Sequence, residues 1–304
     1  MKVADKTLIV ISGPTASGKS SLAIDLALAL NTEIISADSR QIYKGIPVGT
    51  AAPTAEQLEA VRHHMVGVLD LDDYYSAACF ESDVLNLLPS IWRKSDYAVL
   101  CGGSMMYIDA VTRGIDELPT ISEEVRKNTL EIFQSGGIEE LRRRLKQLDP
   151  EYYEKVDLNN TRRLIHALEI IEESGTTYTS LRTGIVRERP FNIIGLAIDR
   201  TREELFDRIN SRVRIMMDEG LEDEARSVYH LRHLNSLNTV GYKEMFAWFD
   251  GKMTRDEAVS RMAKNTRVYA KKQLTWMKRR QTDFHLLPPE NILQQALKLI
   301  NNEN

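Results

Sequence analysis

The sequence predicts an α/β fold, a parallel-sheet core interrupted by an inserted all-helical domain. Three observations predict it. The apolar run Leu8-Ile9-Val10-Ile11 leads into Gly13-Pro14-Thr15-Ala16-Ser17-Gly18-Lys19-Ser20 and then into the apolar Leu22-Ala23-Ile24. That is a strand, a P-loop with G-x-x-x-x-G-K-[ST] spacing, and a helix. Strand-like and helix-like segments then alternate through the first third of the chain, the order expected of a P-loop NTPase-like parallel sheet. From about residue 113 to 190 the sequence turns polar and helical without a convincing strand, and strand character returns at 191–198. The expected organisation is a first part of the core over 1–112, the helical insertion over 113–190, and the second part of the core over 191–304.

Taken in order, the first strand covers 7–12 and the first helix 18–30, its start fixed by the P-loop. A strand over 33–36 precedes a helix near 55–62, a helix over 76–94 and a strand over 97–101. The insertion carries helices over 122–134, 138–148 and 161–173. After the strand at 191–198, Thr201-Arg202-Glu203-Glu204 forms a capping box that opens a long helix to about residue 219.

Composition fits this plan. A chain of 304 residues, 42% hydrophobic, can bury one large core and a smaller attached unit. No stretch reaches the length of a membrane span, and the segment before the first strand is too short for a signal peptide. Cys79 and Cys101, the two cysteines, have neither metal-ligand nor C-x-x-C spacing and read as structural buried thiols. The expected location is the cytoplasm and the expected assembly a monomer, with no membrane partner. Net charge is −4, yet residues 261–280 hold eight basic residues and no acid, leaving −12 on the rest. Along a helix Arg261, Lys264, Lys271 and Lys278 share a face with Tyr269 and Trp276 interleaved, a compact strip able to attract a polyanion.

The P-loop is built for phosphate. Its glycines bring backbone N–H groups around the anion, Lys19 adds a point charge, the Ser20 hydroxyl is available to Mg²⁺, and the helix N-terminus adds its positive end. A second strand, Ile34-Ile35-Ser36-Ala37, delivers Asp38 to the carboxyl edge of the sheet, where open α/β sheets bind ligands. There Asp38 suits a metal ligand, a general base or a turn residue. The strand at 97–101 ends in Gly102-Gly103 without the acid usual in nucleotide hydrolases.

With the P-loop, Asp38-Ser39-Arg40-Gln41-Ile42-Tyr43, Gly49-Thr50-Ala51 followed by Pro53, Gly102-Gly103-Ser104 with Tyr107, Arg163-Leu164 with Ala167-Leu168-Glu169, Val240-Gly241-Tyr242 and Gln273-Leu274-Thr275-Trp276 make seven stretches in register across nearly the whole chain. In them the sequence resembles the bacterial tRNA dimethylallyltransferases, also called tRNA isopentenyltransferases. The resemblance implies transfer of a dimethylallyl group from dimethylallyl diphosphate to N6 of the adenosine 3′-adjacent to the anticodon, in tRNAs reading codons that begin with U. It implies Asp38 as the base for a poorly nucleophilic aromatic amine, a role contributing about 10²- to 10⁴-fold. It implies Thr15, Lys19 and Arg212 around the diphosphate, together with the P-loop and a Mg²⁺ on Ser20.

For the anticodon stem-loop, the resemblance implies contacts from Asp38, Ser39, Arg40, Gln41, Ser104 and Arg126. It adds Arg162, Arg163, Leu164, Ile165 and His166, then Asn238, Thr239, Val240, Gly241, Tyr242 and Lys243, and the basic helix at Lys271, Lys272 and Lys278. Ser104 stands where the family often has Thr, Arg162 where Gln is common and His166 where Arg is common. The target base must be turned out of its stack at a cost of a few kcal/mol.

Other residues read as structural. Arg202, Arg208 and Arg214 are expected to be solvated, Trp248 and Phe249 to sit in the core, Met216 and Met217 to pack, and His63 and His64 to pack beside a strand. Three alternatives stand beside the family reading. A small-molecule kinase needs a second arginine set and a metal-anchoring acid that the sequence does not place. An adenylate prenyltransferase has no use for the basic strip or the insertion, and an RNA-binding module leaves the P-loop idle.

Overall fold

The structure, a computed structural model, describes residues 6–303. β1 (Thr7–Ser12) is buried along its whole length, as a central strand of a parallel sheet covered on both faces must be. The P-loop turns it directly into α1 (Lys19–Ala29), and β2 (Ile34–Ala37) follows. Next come α2 (Pro47–Thr50), α3 (Ala55–Ala60), the edge strand β3 (His63–His64), α4 (Ala77–Ile91), β4 (Tyr97–Gly102) and α5 (Met105–Arg113). Four helices follow: α6 (Glu123–Leu148), α7 (Pro150–Lys155), α8 (Thr161–Ser174) and α9 (Tyr178–Leu181). The chain continues with β5 (Asn192–Ile198), α10 (Arg202–Asp218), α11 (Leu221–Ser227), α12 (Tyr242–Phe249), α13 (Arg255–Arg279), β6 (His285–Leu287) and α14 (Ile292–Glu303).

The six strands form one sheet in the order β3-β2-β4-β1-β5-β6, every pairing parallel. Register decides what meets at its carboxyl edge. Ser12 pairs with Gly102 on one side and Ala197 on the other, and Gly102 also pairs with Ala37. The chain therefore leaves β1, β2, β4 and β5 at nearly one level, bringing the P-loop, Asp38, Ser104 and Arg200 to the same edge. β2 and β4 approach so closely there that a Cβ on Gly102 would lie 2.1 Å from the Ala37 carbonyl oxygen, so only glycine fits.

Packing divides the chain into one unit of Met1–Arg113 with Glu188–Asn304 and a second unit of Gly114–Arg187. In the first, Leu22, Leu26 and Ile300 from α1 and α14 pack on Ile9, Ile11 and Leu196 of the sheet. A separate core joins α10 to α13 with the segment after β2, through Ile42, Ile46, Val213, Leu221, Met245 and Met262. Arg189 pairs with Glu81 at 2.5 Å with both side chains under a tenth exposed, and also donates to the Val111 and Ala110 carbonyls. The second unit is all-helical in its described residues and is built around Leu141, Leu145, Leu164, Ala167 and Ile171. Its expected helix break between 134 and 138 falls at Gly137, whose φ of 64° is outside the helical range. Buried Asp149 ties α7 to α9, accepting from the Tyr152 and Thr179 amides at 3.0 and 2.8 Å.

The expected capping box at Thr201–Glu204 is present, with both reciprocal hydrogen bonds. Two sequence expectations change. His63 and His64 themselves form a strand, and His64 Nε2 meets Glu33 Oε2 at 2.6 Å. Cys79 is only half-buried, unlike Cys101, because it lies in the first turn of α4, next to its Ser76 cap.

Candidate diphosphate site and nucleic-acid interface

The P-loop wraps the N-terminus of α1, so its amides and the helix dipole point at the same anion position. Three elements outside the loop hold it in shape. From α13, Gln273 accepts from the Thr15 amide at 2.9 Å and donates to the Gly103 carbonyl at 2.9 Å, joining the P-loop to the β4–α5 turn. From beyond β5, Arg200 Nε donates to the Ser17 carbonyl at 2.7 Å. From α10, Arg208 Nε donates to the Ala16 carbonyl at 2.6 Å. Arg208 is exposed, as expected from sequence, and is in addition a P-loop partner. Sequence spacing singles out neither Arg200 nor Gln273 as a loop partner, although Gln273 belongs to a stretch that carries the resemblance; helical spacing alone does not say which face of α13 meets the loop.

The electrostatics of the site are those of an anion cradle. Burial pushes the Lys19 ammonium below its ordinary pKa and nearby Arg212 pushes the same way, while Cys101 and Asp38 oppose. Burial likewise lowers Arg212, against Asp38 and Glu219. Two cations sharing one carboxylate in a partly desolvated cleft favour a polyanion strongly. Burial pushes the Cys101 thiol up to about 11, outweighing Lys19, so it stays protonated and unreactive at neutral pH. Lys19 Nζ rests on the Pro14 carbonyl at 3.0 Å.

Asp38 follows β2 in a tight turn. Its Oδ1 accepts from the Arg40 and Gln41 amides at 2.8 and 3.3 Å, while no described donor sits on Oδ2. One oxygen orients the carboxylate and the other is left for chemistry. The Ser104 hydroxyl, on a residue 8% exposed, accepts from the Ser39 amide at 2.8 Å and holds this turn against α5. The Arg40 guanidinium donates to the Asn235 and Ser236 carbonyls at 2.8 and 3.1 Å. Gln41 Nε2 donates to the Ala51 carbonyl at 2.9 Å and its Oε1 accepts from Ser36. The side chains of Arg40, Gln41 and Ser104 are therefore committed to positioning the Asp38 turn.

Two of the residues expected to contact RNA have their side chains turned inward. Tyr242 is fully buried, its hydroxyl donating to Glu224, which also accepts from the Val48 and Gly49 amides at 2.8 and 2.7 Å. A Cβ on Gly49 would come within 2.5 Å of the Tyr242 ring, so the Gly49 and Gly241-Tyr242 stretches form one structural node with Glu224, which no spacing in the chain singles out. Leu164 is also fully buried, in the core of the second unit. Both sit on the inward face of their helices, where a side chain packs rather than meets a solvated partner. Their neighbours differ: Lys243, Arg162 and Arg163 are exposed, Asn238 and Thr239 half-exposed. His166, exposed on α8, stands edge-on to Tyr178 with centroids 5.8 Å apart, and partial desolvation, with Arg126 and Arg182, lowers its pKa.

The basic strip lies on α13. Gln273 and Met277 face inward and Trp276 donates to Asp109 at 3.0 Å, while Lys271, Lys272 and Lys278 are exposed. Of the packing expectations, Met216 is buried, and Met217, Trp248 and Phe249 pack on the same core half-buried.

No group of three metal-ligating His, Cys, Asp or Glu occurs among the described residues, so a resident all-protein divalent site is not offered. The fit is to a substrate-bridged ion: the Ser20 hydroxyl is exposed in the first turn of α1, and Mg²⁺ in P-loops takes most ligands from phosphate and water. Within the same loop the Ser17 hydroxyl is buried without a hydrogen-bond partner, a donor left over for a ligand oxygen.

Fold and site together define a P-loop α/β protein whose anion-binding loop lies beside an oriented carboxylate. The sequence profile of the IPP transferase family matches residues 41–280. A tRNA dimethylallyltransferase of Phocaeicola vulgatus is 54% identical over 273 residues, covering 90% of this chain and 91% of that protein. One from Bacteroides fragilis is 52% identical over 274 residues, covering 90% and 91%. Among solved structures, the tRNA isopentenylpyrophosphate transferase of Bacillus halodurans has a TM-score of 0.71 at 33% identity, covering 98% of this chain and 96% of the other. A eukaryotic dimethylallyltransferase acting on tRNA has a TM-score of 0.82 at 26% identity, with 98% and 79% covered. The chain belongs to the IPP transferase family, and it is a prenyltransferase.

Proposed function

We propose that the protein transfers a dimethylallyl group from dimethylallyl diphosphate to N6 of the adenosine 3′-adjacent to the anticodon of tRNA, releasing diphosphate. The observation that carries this reading is the meeting of the P-loop, Lys19, Arg212 and Asp38 at one edge of the sheet, fixed by the strand register. The bond from the allylic carbon to the bridging diphosphate oxygen breaks, the N6–carbon bond forms, and Asp38 Oδ2 accepts the proton lost by the amine. The carboxylate favours a nitrogen that becomes positively charged as the bond forms. P-loop amides, Lys19, Arg212 and the Thr15 hydroxyl receive the charge on the leaving group. Ser20 would hold a Mg²⁺, which supplies further charge neutralisation when bound.

The adenosine is turned out of the stack to reach Asp38. Arg126 and residues 162–166, less the buried Leu164, grip the anticodon stem-loop, while residues 238–243 around buried Tyr242 and the lysines of α13 hold its backbone. No described helix is long and apolar enough to cross a membrane; with tRNA as substrate we place the enzyme in the cytoplasm, acting as a monomer. The experiment is incubation with Mg²⁺, labelled dimethylallyl diphosphate and either an anticodon stem-loop or AMP. Label on the RNA alone is expected. Label on AMP reassigns the acceptor to a free nucleotide, and label on neither overturns prenyl transfer to adenine.

A further inference from the structure

We infer that Arg200 and Arg208 are positioning residues for the diphosphate of the prenyl donor, acting through the backbone of the P-loop. The inference rests on the proposed reading of that site. A P-loop grips an anion only while its peptide N–H groups face inward, which requires its carbonyls to face outward. Ala16 and Ser17 have their outward carbonyls held by two guanidinium groups, at 2.6 and 2.7 Å. Both hydrogen bonds are charge-assisted, the stronger class. Ala16 has a φ of 65°, a left-handed conformation disfavoured for alanine, so an external anchor on its carbonyl holds a peptide that would otherwise relax.

Both arginines are also close in charge terms. Nη2 of Arg200 and Nη2 of Arg208 each lie 3.9 Å from where a Cβ on Gly18 would sit. Arg208 and Arg212 are four residues apart on α10, hence on one face of the helix. α10 thus supplies Arg212 to the centre containing Lys19 and Asp38, and Arg208 to the back of the loop one turn away. No carboxylate lies within 4 Å of either Arg200 or Arg208 among the described residues, in contrast to Arg226 and Arg255, which pair with Glu222. Their hydrogen-bond partners are P-loop carbonyls.

The test uses the full chain with Arg208→Gln, Arg200→Gln, the double variant and Arg208→Lys. Diphosphate binding is read by calorimetry and prenyl transfer by steady-state kinetics on an anticodon stem-loop. The expected result is a rise of about tenfold in both the diphosphate Kd and the donor KM for each Gln variant, the size of one lost hydrogen bond to a charged group. Stem-loop affinity and kcat at saturating donor stay within about twofold, and Arg208→Lys, which can still donate to the Ala16 carbonyl, recovers most of the loss. Unchanged diphosphate Kd and donor KM in the double variant would overturn the inference, as would a loss confined to kcat or to RNA binding. If the wild-type chain transfers no label to RNA, the proposed function fails instead, while the calorimetric comparison still decides the arginines.

Discussion

Replacing Gln273 with Leu tests whether α13 builds the donor site or merely covers it. Gln273 is 3% exposed and makes one hydrogen bond each way, accepting from the Thr15 amide and donating to the Gly103 carbonyl, both at 2.9 Å. Leucine nearly matches its volume, so packing is preserved and the polar loss is isolated. The Thr15 amide becomes a part-buried donor without a protein partner, costing about 1–3 kcal/mol. The Gly103 carbonyl keeps the Tyr269 hydroxyl at 3.3 Å, so its share is smaller, about 1 kcal/mol. The sum, about 2–4 kcal/mol, lowers the melting temperature by about 2–4 °C per kcal/mol. Because the disturbed amide belongs to the loop that shapes the phosphate cradle, the donor KM rises by about tenfold while the Kd for the stem-loop holds. Calorimetric melting and initial-rate kinetics at varied donor read both. A variant that melts like the wild type with unchanged donor KM refutes the argument that this glutamine holds the P-loop.

Asp38→Asn keeps the amide-accepting oxygen but removes the base, so turnover falls by about 10²- to 10⁴-fold with stem-loop affinity nearly unchanged; an unaltered rate removes Asp38 from proton transfer. Lys271→Ala with Lys272→Ala weakens RNA binding and makes the slope of log affinity against log salt shallower by about 1.5, as two lost phosphate contacts require; an unchanged slope takes α13 out of the interface. Burial raises the Glu33 pKa, but hydrogen bonds from Lys94 and His64 overcome this and hold it below its ordinary 4.5. A depressed folded value means stability present above the unfolded pKa and lost as pH falls through the folded one. Glu33→Gln therefore destabilises by about 1–2 kcal/mol at neutral pH and melts like the wild type below the folded value; equal melting at pH 7 would show the cluster is idle.

The P-loop with its strand and helix, the capping box of α10 and the acid-free basic run of α13 are legible in the chain alone, because each is local: neighbours along the chain supply the hydrogen bonds or charge that define it. Gly137 was legible as a helix break for the same reason. Short elements such as α2, α9 and β6 were not, since three or four residues carry no periodicity and exist only through tertiary partners. Around the site, Asp38 could be placed at a sheet edge from the strand before it, but its meeting with Ser104 and the P-loop depends on the pairing of Ala37, Gly102 and Ser12 across three strands. Tyr242 and Leu164 read as contact residues because their segments carry the resemblance, and only packing shows that these side chains turn inward. Arg208 and Gln273 show the converse. Each looks like one polar residue among many on a helix, and only the fold decides, over separations of 192 and 258 residues, which of them donates to or accepts from the P-loop. Long-range hydrogen bonds leave no spacing for a sequence to display, so the residues that shape this phosphate cradle from outside became visible only once the sheet and α13 had brought them to it.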